Sequence, residues 1–279
     1  MANIITVQAF SDNYIWLICD EKKKYGVIVD PGDPRKLITV LQNEEIEPIA
    51  ILLTHLHFDH ANGLAALNAL YPEIPIYGPE SEFNLLNADP HPPNYGPATN
   101  CFQYVTHLLK GDEILDFEKI NCSFQIMNIP GHTSGHIAYY DSINKILFCG
   151  DTMFAGGCGR VFDGTYKDLY NSLQKIAQLP KDTLIYCAHE YTLDNLGFAQ
   201  WIEPDSANLL ERINADRALI DNDKATVPSL LSLELKTNPF LRTHEANVIK
   251  QVEKASGKTL TNSADVFAEM RIWKDSKYD

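Results

Sequence analysis

Three of the nine histidines fall within six residues of the run THLHFDH: His55, His57 and His60, with Asp59 beside the last. Neutral imidazoles and a carboxylate at this density suit a divalent ion such as zinc, iron or manganese, with no thiolate required. The run directly follows PIAILLT (48–54), a short apolar stretch of the kind that forms a buried strand. If that strand continued, His55 and His57 would share one face by its two-residue period. In a loop at the strand end, they can converge on one ion. Asp59 and His60, a step further on, can turn toward a second.

Four ligands per ion require more donors, and three further apolar runs each end on one. His132 follows SFQIMNIP within PGHTSGH, Asp151 ends KILFCGD, and His189 ends TLIYCAH. Four strand ends then each deliver a candidate ligand to one edge of a sheet. Any one of these alone reads more readily as a capping or core polar residue; the full set does not. His136, two residues beyond Ser134, reads as the start of a strand and a supporting bond rather than a ligand. His91, His107 and His244 lack such a context and read as surface residues. In GGCGR (156–160) the glycines permit close backbone approach or simply a tight turn. Cys158 in that loop suggests a nucleophile, but no base stands next to it.

The elements that must position these residues alternate. Strands are expected at 4–9, 14–19, 26–30, 48–54, 74–77, 123–129, 136–140, 145–149 and 183–187, and helices at 35–43, 61–70 and 167–178. This mixture predicts a layered α/β domain. Beyond about residue 200 the spacing turns helical over 205–221, 243–256 and 263–274, with N-caps expected at Asp205 or Ser206, Thr243 and Ser263. Val248, Val252 and Ala255 share one helical face, and Gly257 is a reasonable stop. The expected division is a catalytic domain over 1–190 and a helical substrate-binding domain over 191–279. The Pro- and Asn-rich stretch 79–107 is expected to be a long surface loop.

A chain of 279 residues accommodates two domains, and 45% hydrophobic with 22% charged residues is the balance of a folded soluble protein. The 23 basic and 37 acidic residues sum to −14. Such a chain repels phosphate backbones and anionic membrane surfaces, so neither a nucleic acid nor a membrane is an expected partner. An anionic substrate would need a local cluster of Arg and Lys, or a metal. Six scattered cysteines without a C-x-x-C pair read as reduced thiols. The first residues, MANIITVQAFSDNYIW, show neither a basic n-region nor an apolar h-region. No apolar stretch approaches the roughly 18 residues of a membrane span. A cytoplasmic monomer is the expectation.

In these motifs the chain resembles the metallo-β-lactamase superfamily, whose signature is H-x-H-x-D-H. Within it the closer resemblance is to glyoxalase II, the hydroxyacylglutathione hydrolases. THLHFDHANG, PGHTSGHI, FCGDTMF, GGCGR, AHEYT, NPFLR and the final R-x-x-K (Arg271, Lys274) match that family in order and cover nearly the whole chain. The resemblance implies an αββα sandwich followed by a small, mainly helical domain. It implies two divalent ions, zinc first, with iron or manganese as alternatives. His55, His57 and His132 would hold one; Asp59, His60 and His189 the other; Asp151 would bridge them. Arg160, Tyr191, Arg271 and Lys274 would contact substrate. The implied reaction is hydrolysis of S-(2-hydroxyacyl)glutathione, typically S-D-lactoylglutathione, to glutathione and D-lactate, a step of methylglyoxal detoxification. Metal-activated water would be the nucleophile, oriented by Asp59. Three features depart from the family pattern: the longer 79–107 stretch, Phe162 where some members carry Tyr, and Arg160 where some carry Lys.

Rival readings have discriminators. A common dizinc β-lactamase would carry Cys at position 151 and lack the helical tail. A nuclease relative would show a basic surface. A persulfide dioxygenase would hold a single iron and consume oxygen. A catalytically silent metal-binding protein would fail a turnover assay.

Overall fold

The computed structural model describes residues 3–89 and 99–278, and the chain divides into two compact units. The first comprises Met1–Asn128 and Ser134–Gly150; the second comprises Ile129–Thr133 and Asp151–Asp279.

In the first unit, β1 (Asn3–Ala9), β2 (Asn13–Cys19) and β3 (Tyr25–Val29) form an antiparallel meander. After helix α1 (Arg35–Asn43), strand β4 (Glu47–Leu52) adds parallel to β3. Two short helices, α2 (Phe58–Ala61) and α3 (Leu64–Leu70), lead to β5 (Ile76–Pro79). Then come helix α4 (Glu80–Ala88), a 3₁₀ turn (Thr99–Tyr104) and β6 (His107–Leu109), which closes a sheet in the order β1-β2-β3-β4-β5-β6. Strands β7 (Ile114–Phe117), β8 (Cys122–Asn128), β9 (Ile137–Asp141) and β10 (Ile146–Gly150) pair antiparallel in sequence order. Every residue of β2, β9 and β10 is buried, as the apolar runs YIWLIC, IAYY and ILFC within them require. Strand β1, covered less completely, alternates toward its end. The two sheets meet where Tyr139 donates from Oη to the Leu53 carbonyl at 2.7 Å. Helix α1 turns Leu37 and Leu41, one helical turn apart, into the core it shares with Leu64 and Leu67 of α3.

The second unit holds the hairpin β11 (Met153–Phe154) and β12 (Gly157–Cys158), helix α5 (Tyr166–Ala177) and β13 (Leu184–Cys187). These are followed by α6 (Thr192–Ile202), α7 (Ala207–Ile220), β14 (Ser229–Leu230), α8 (Leu231–Thr237), α9 (Ala246–Ser256) and α10 (Ser263–Lys277). Helix α5 begins at Thr165, whose hydroxyl accepts from the Asp168 backbone N–H. Helix α9 ends, as its spacing predicted, at Gly257 with φ 71°.

Three expectations need correction. Helix α9 starts after Glu245 rather than Thr243, which is buried three residues upstream of the first helical residue. Helix α10 is capped by Asn262, whose side-chain oxygen accepts from Asp265 N–H at 2.9 Å, leaving Ser263 as its first residue. The expected 79–107 loop is largely structured on both sides of residues 90–98, which lie outside the described residues. Prolines are concentrated in and around that interval, whereas ESEFNLLNA before it has helical spacing, with Pro79 just ahead of the first turn where its missing N–H costs nothing. Leu86 of α4 and Cys101, Phe102 and Val105 near the 3₁₀ turn are core residues. Shortening 84–98 should therefore damage the fold rather than spare it. Leu86→Ala alone is expected to lower stability by about 2–5 kcal/mol, read as a lower urea midpoint with an unchanged slope.

Candidate metal centre

Strands β3 and β4 run parallel with Val29 opposite Leu52, so both end at the same edge of the sheet. Asp30 follows β3 there, and its buried carboxylate gathers the start of the histidine run. Oδ1 accepts from the Thr54 backbone N–H at 2.8 Å; Oδ2 accepts from Thr54 Oγ1 at 2.7 Å and lies 3.1 Å from His60 Nδ1. Thr54 Oγ1 is in turn 3.2 Å from His55 Nδ1. An imidazole whose Nδ1 is engaged by oxygen presents Nε2 to an ion, in the geometry typical of metal-ligating histidines. Asp30 thus sets two histidines, one directly and one through Thr54. The ring of His55 lies 4.6 Å from that of His57 and 4.0 Å from that of His60, and stacks on His136 at 4.6 Å. Asp59 is held by Asn13, whose Nδ2 donates to its Oδ2 at 2.9 Å.

In the second unit, His132 Nδ1 lies 2.9 Å from the Arg160 carbonyl oxygen, which again leaves Nε2 as the presenting atom. That nitrogen is 3.5 Å from Asp151 Oδ2, and His189 Nε2 is 3.4 Å from the same oxygen. In the first unit, His60 Nε2 is 3.6 Å from Asp59 Oδ2. Donors bound at 2.0–2.1 Å around a tetrahedral ion lie about 3.3–3.4 Å apart. All three separations sit close to that edge length, so the donor chemistry and spacing within each unit fit a metal site. The backbone at GGCGR supports it by close approach: a Cβ on Gly159 would stand 2.0 Å from the Asp151 carbonyl oxygen and 3.0 Å from His132 Nδ1.

The four residues expected to contact substrate separate by exposure. The Arg160 side chain is half exposed, with Nε 3.7 Å from Asp275 Oδ1. Tyr191 is exposed and stacks face to face on His189, with centroids 4.7 Å apart and planes 8° apart. Arg271 is 1% exposed, so a solvated helix end does not describe it. Its Nε and Nη2 donate to Asp275 Oδ1 at 3.1 and 2.8 Å, and Nη1 donates to the Cys158 carbonyl at 3.1 Å. Lys274 is also buried, its Nζ donating to Asp194 Oδ2 at 3.4 Å. Phe162 is exposed and stands edge-on to His132, with centroids 5.1 Å apart.

Asp30 and Asn13 escaped the sequence reading. Asp30 had a signal, an acidic residue ending the apolar run VIVD beside the strand that delivers the histidines; Asn13 had none. His107 and His244 are exposed and outside the centre, as expected; His91 lies outside the described residues. Cys158 is buried, and burial pushes its thiol up to about 11 against the lowering effect of Arg271. Only about one thiol in a thousand would ionise at pH 8, too few for a nucleophile. Iodoacetamide at pH 8 is accordingly expected to leave Cys158 unlabelled and activity intact, as mass spectrometry and an assay of the same sample would record.

Mixed sheets with histidine and aspartate at their strand ends define a metallohydrolase-type architecture, and comparison with known proteins places it. The profile of the Metallo-beta-lactamase superfamily matches residues 10–189, and that of the Hydroxyacylglutathione hydrolase C-terminus matches 190–277. A hydroxyacylglutathione hydrolase of Nitrosomonas europaea is 40% identical over 276 residues, covering 99% of this chain and 97% of the relative. Among solved structures, the BLEG-1 B3 metallo-beta-lactamase is similar with TM-score 0.61 and 25% identity, covering 86% of this chain and 99% of its own. TTHA1623 in a di-iron-bound form gives 0.57 and 26%, covering 86% and 100%. The chain belongs to the hydroxyacylglutathione hydrolase family of the metallo-beta-lactamase superfamily. Its fold is the mixed-sheet sandwich of that superfamily with a helical C-terminal part. No helix among the described residues is long and apolar enough to cross a membrane.

Proposed function

We infer that the protein is a hydroxyacylglutathione hydrolase, a metal-dependent thioesterase. The observation that carries this is the pair of consecutive family matches, 10–189 and 190–277, because the second is specific to hydroxyacylglutathione hydrolases rather than to the superfamily. The substrate assigned is S-D-lactoylglutathione, split to glutathione and D-lactate. The functional division we adopt is a catalytic domain over 1–190 and a helical substrate-binding domain over 191–279, in a monomer acting in the cytoplasm.

Two divalent ions are assigned, zinc first and iron or manganese as alternatives. His55, His57 and His132 would hold one and Asp59, His60 and His189 the other, with Asp151 shared between them. The similarity to a di-iron-bound protein supports the count. Bound ions of this kind acidify water and polarise the thioester carbonyl.

The chain's own groups do the rest. Asp59, held by Asn13, orients the attacking water. Asp30 keeps His60, and through Thr54 also His55, in the tautomer that leaves Nε2 free of a proton. The glutathione thiolate leaves unaided, since an ordinary thiol pKa of about 8.5 makes it a tolerable leaving group. Arg160 and Tyr191, both open to solvent, meet the glutathione moiety together with Lys274, while the buried Arg271 holds the turn that carries Arg160 through the Cys158 carbonyl and Asp275. The planar fork of Arg160 gives a carboxylate two parallel donors where a lysine would give one point charge.

Elemental analysis alongside a thioesterase assay tests this reading. Two equivalents of metal per chain and turnover of S-D-lactoylglutathione are expected. Full activity with one equivalent would overturn the two-ion assignment, and no turnover by a fully loaded protein would overturn the activity.

A further inference from the structure

Helix α4 carries a carboxylate that the reaction does not use. Glu82, in its first turn, is 1% exposed, and its Oε2 accepts from the Leu56 backbone N–H at 2.6 Å. That N–H belongs to the peptide joining His55 to Leu56, in the middle of the H-x-H run. The Leu56 side chain is buried in the same apolar cluster as Leu86, Phe102 and Val105. The run is therefore pinned twice at one residue, by apolar packing of the leucine and by a polar bond to its amide. A carboxylate tolerates this burial better than most, because amides at a helix N-terminus favour negative charge and the bond it accepts is charge-assisted. The segment ahead of β9 presses on the same place: a Cβ on Gly135 would stand 2.4 Å from Ser81 Oγ and 2.6 Å from Glu82 Cγ. The next residue, His136, stacks on His55.

We propose that Glu82 is a positioning residue for metal binding, holding the His55–Leu56 peptide so that His55 and His57 are turned toward one ion. This rests on the metal assignment above. Glu82 acts through the backbone of Leu56, so its loss should change how tightly metal is held and leave the affinity for thioester alone. It also gives the 79–107 segment a part in the centre: the segment supplies a polar clamp as well as core residues.

The test uses the full chain, stripped and reloaded with zinc, in competition with a chromophoric chelator. Glu82→Ala is expected to weaken zinc binding about tenfold or more, within the range of about 10- to 100-fold that supporting residues command. Its kcat should fall with occupancy, while KM stays constant and excess zinc restores the rate. Glu82→Gln, whose side-chain oxygen can still accept from Leu56, should stay within about twofold of wild type. Unchanged zinc affinity in Glu82→Ala overturns the proposal, even if the variant is less stable. Equal loss in the Ala and Gln variants also overturns it, because charge rather than the held peptide would then be at work. If Glu82→Ala does not fold, Glu82→Asp replaces it: one methylene shorter, it should bind zinc more weakly than Glu82→Gln, and the reverse order overturns the proposal. A wild-type protein that takes up no zinc, iron or manganese would overturn the metal assignment itself, a different result from a loaded wild type and an indifferent Glu82.

Discussion

Asp151→Ala is expected to reduce kcat/KM for S-D-lactoylglutathione by more than about a hundredfold and to bring metal content from the proposed two equivalents to one or fewer. The reason lies in one oxygen. Asp151 Oδ2 stands 3.5 Å from His132 Nε2 and 3.4 Å from His189 Nε2, two imidazoles assigned to different ions. Changes to residues that merely support ligands cost about 10- to 100-fold, so removal of a shared ligand sets that range as the lower bound. The carboxylate also offsets part of the positive charge that two ions would bring, and alanine leaves that repulsion uncompensated. Asp151→Asn keeps the shape and loses the charge, so it should retain more metal than alanine yet remain far below wild type. Metal bound only by the native state adds stability by mass action. The rise in melting temperature on adding zinc should therefore shrink in both variants. A variant with two tightly held equivalents and near-native turnover would remove Asp151 from the centre.

The candidate ligands stood out in the sequence because each lies at or shortly past the end of an apolar run, and strand ends are where a sheet can gather side chains from distant parts of a chain. Their supports were less legible. Asp30 lies 24 residues from Thr54 and Asn13 lies 46 from Asp59; the acidic end of the VIVD run hints at the first pairing, and nothing local announces the second. Helix α4 was obscured by the prolines that follow it, although Phe83 and Leu86 had helical spacing. The caps of α9 and α10 were each misplaced: a Thr or Ser near a helix start is common, and which residue caps depends on where the chain arrives. Burial of charge was the least legible. Arg271 and Lys274 have the composition of a solvated helix end, and only a carbonyl 113 residues upstream, that of Cys158, explains why the arginine is inside.

That burial leads to a sharp contrast between two arginines. Arg160→Ala is expected to raise KM for glutathione thioesters about 10- to 150-fold, the equivalent of one charge-assisted contact of about 1.5–3 kcal/mol. Its side chain is half exposed, so folding and metal content should be unchanged, and small thioesters without glutathione should react at nearly native rates. Arg271→Ala should behave differently. Its guanidinium joins α10 to the Cys158 carbonyl and grips Asp275, the carboxylate that also faces Arg160 at 3.7 Å. Two residues past Cys158, the Arg160 carbonyl lies against His132 Nδ1. Losing Arg271 therefore loosens the turn that positions both Arg160 and a candidate metal ligand. The expected result is a loss of about 1.5–3 kcal/mol in stability, a higher KM for glutathione thioesters, and a lower kcat on small thioesters too. Urea unfolding and kinetics on the two substrate types separate the cases. A stable Arg271→Ala protein, impaired only with glutathione thioesters, would make Arg271 a direct substrate contact like Arg160, and the grip on Cys158 and Asp275 incidental.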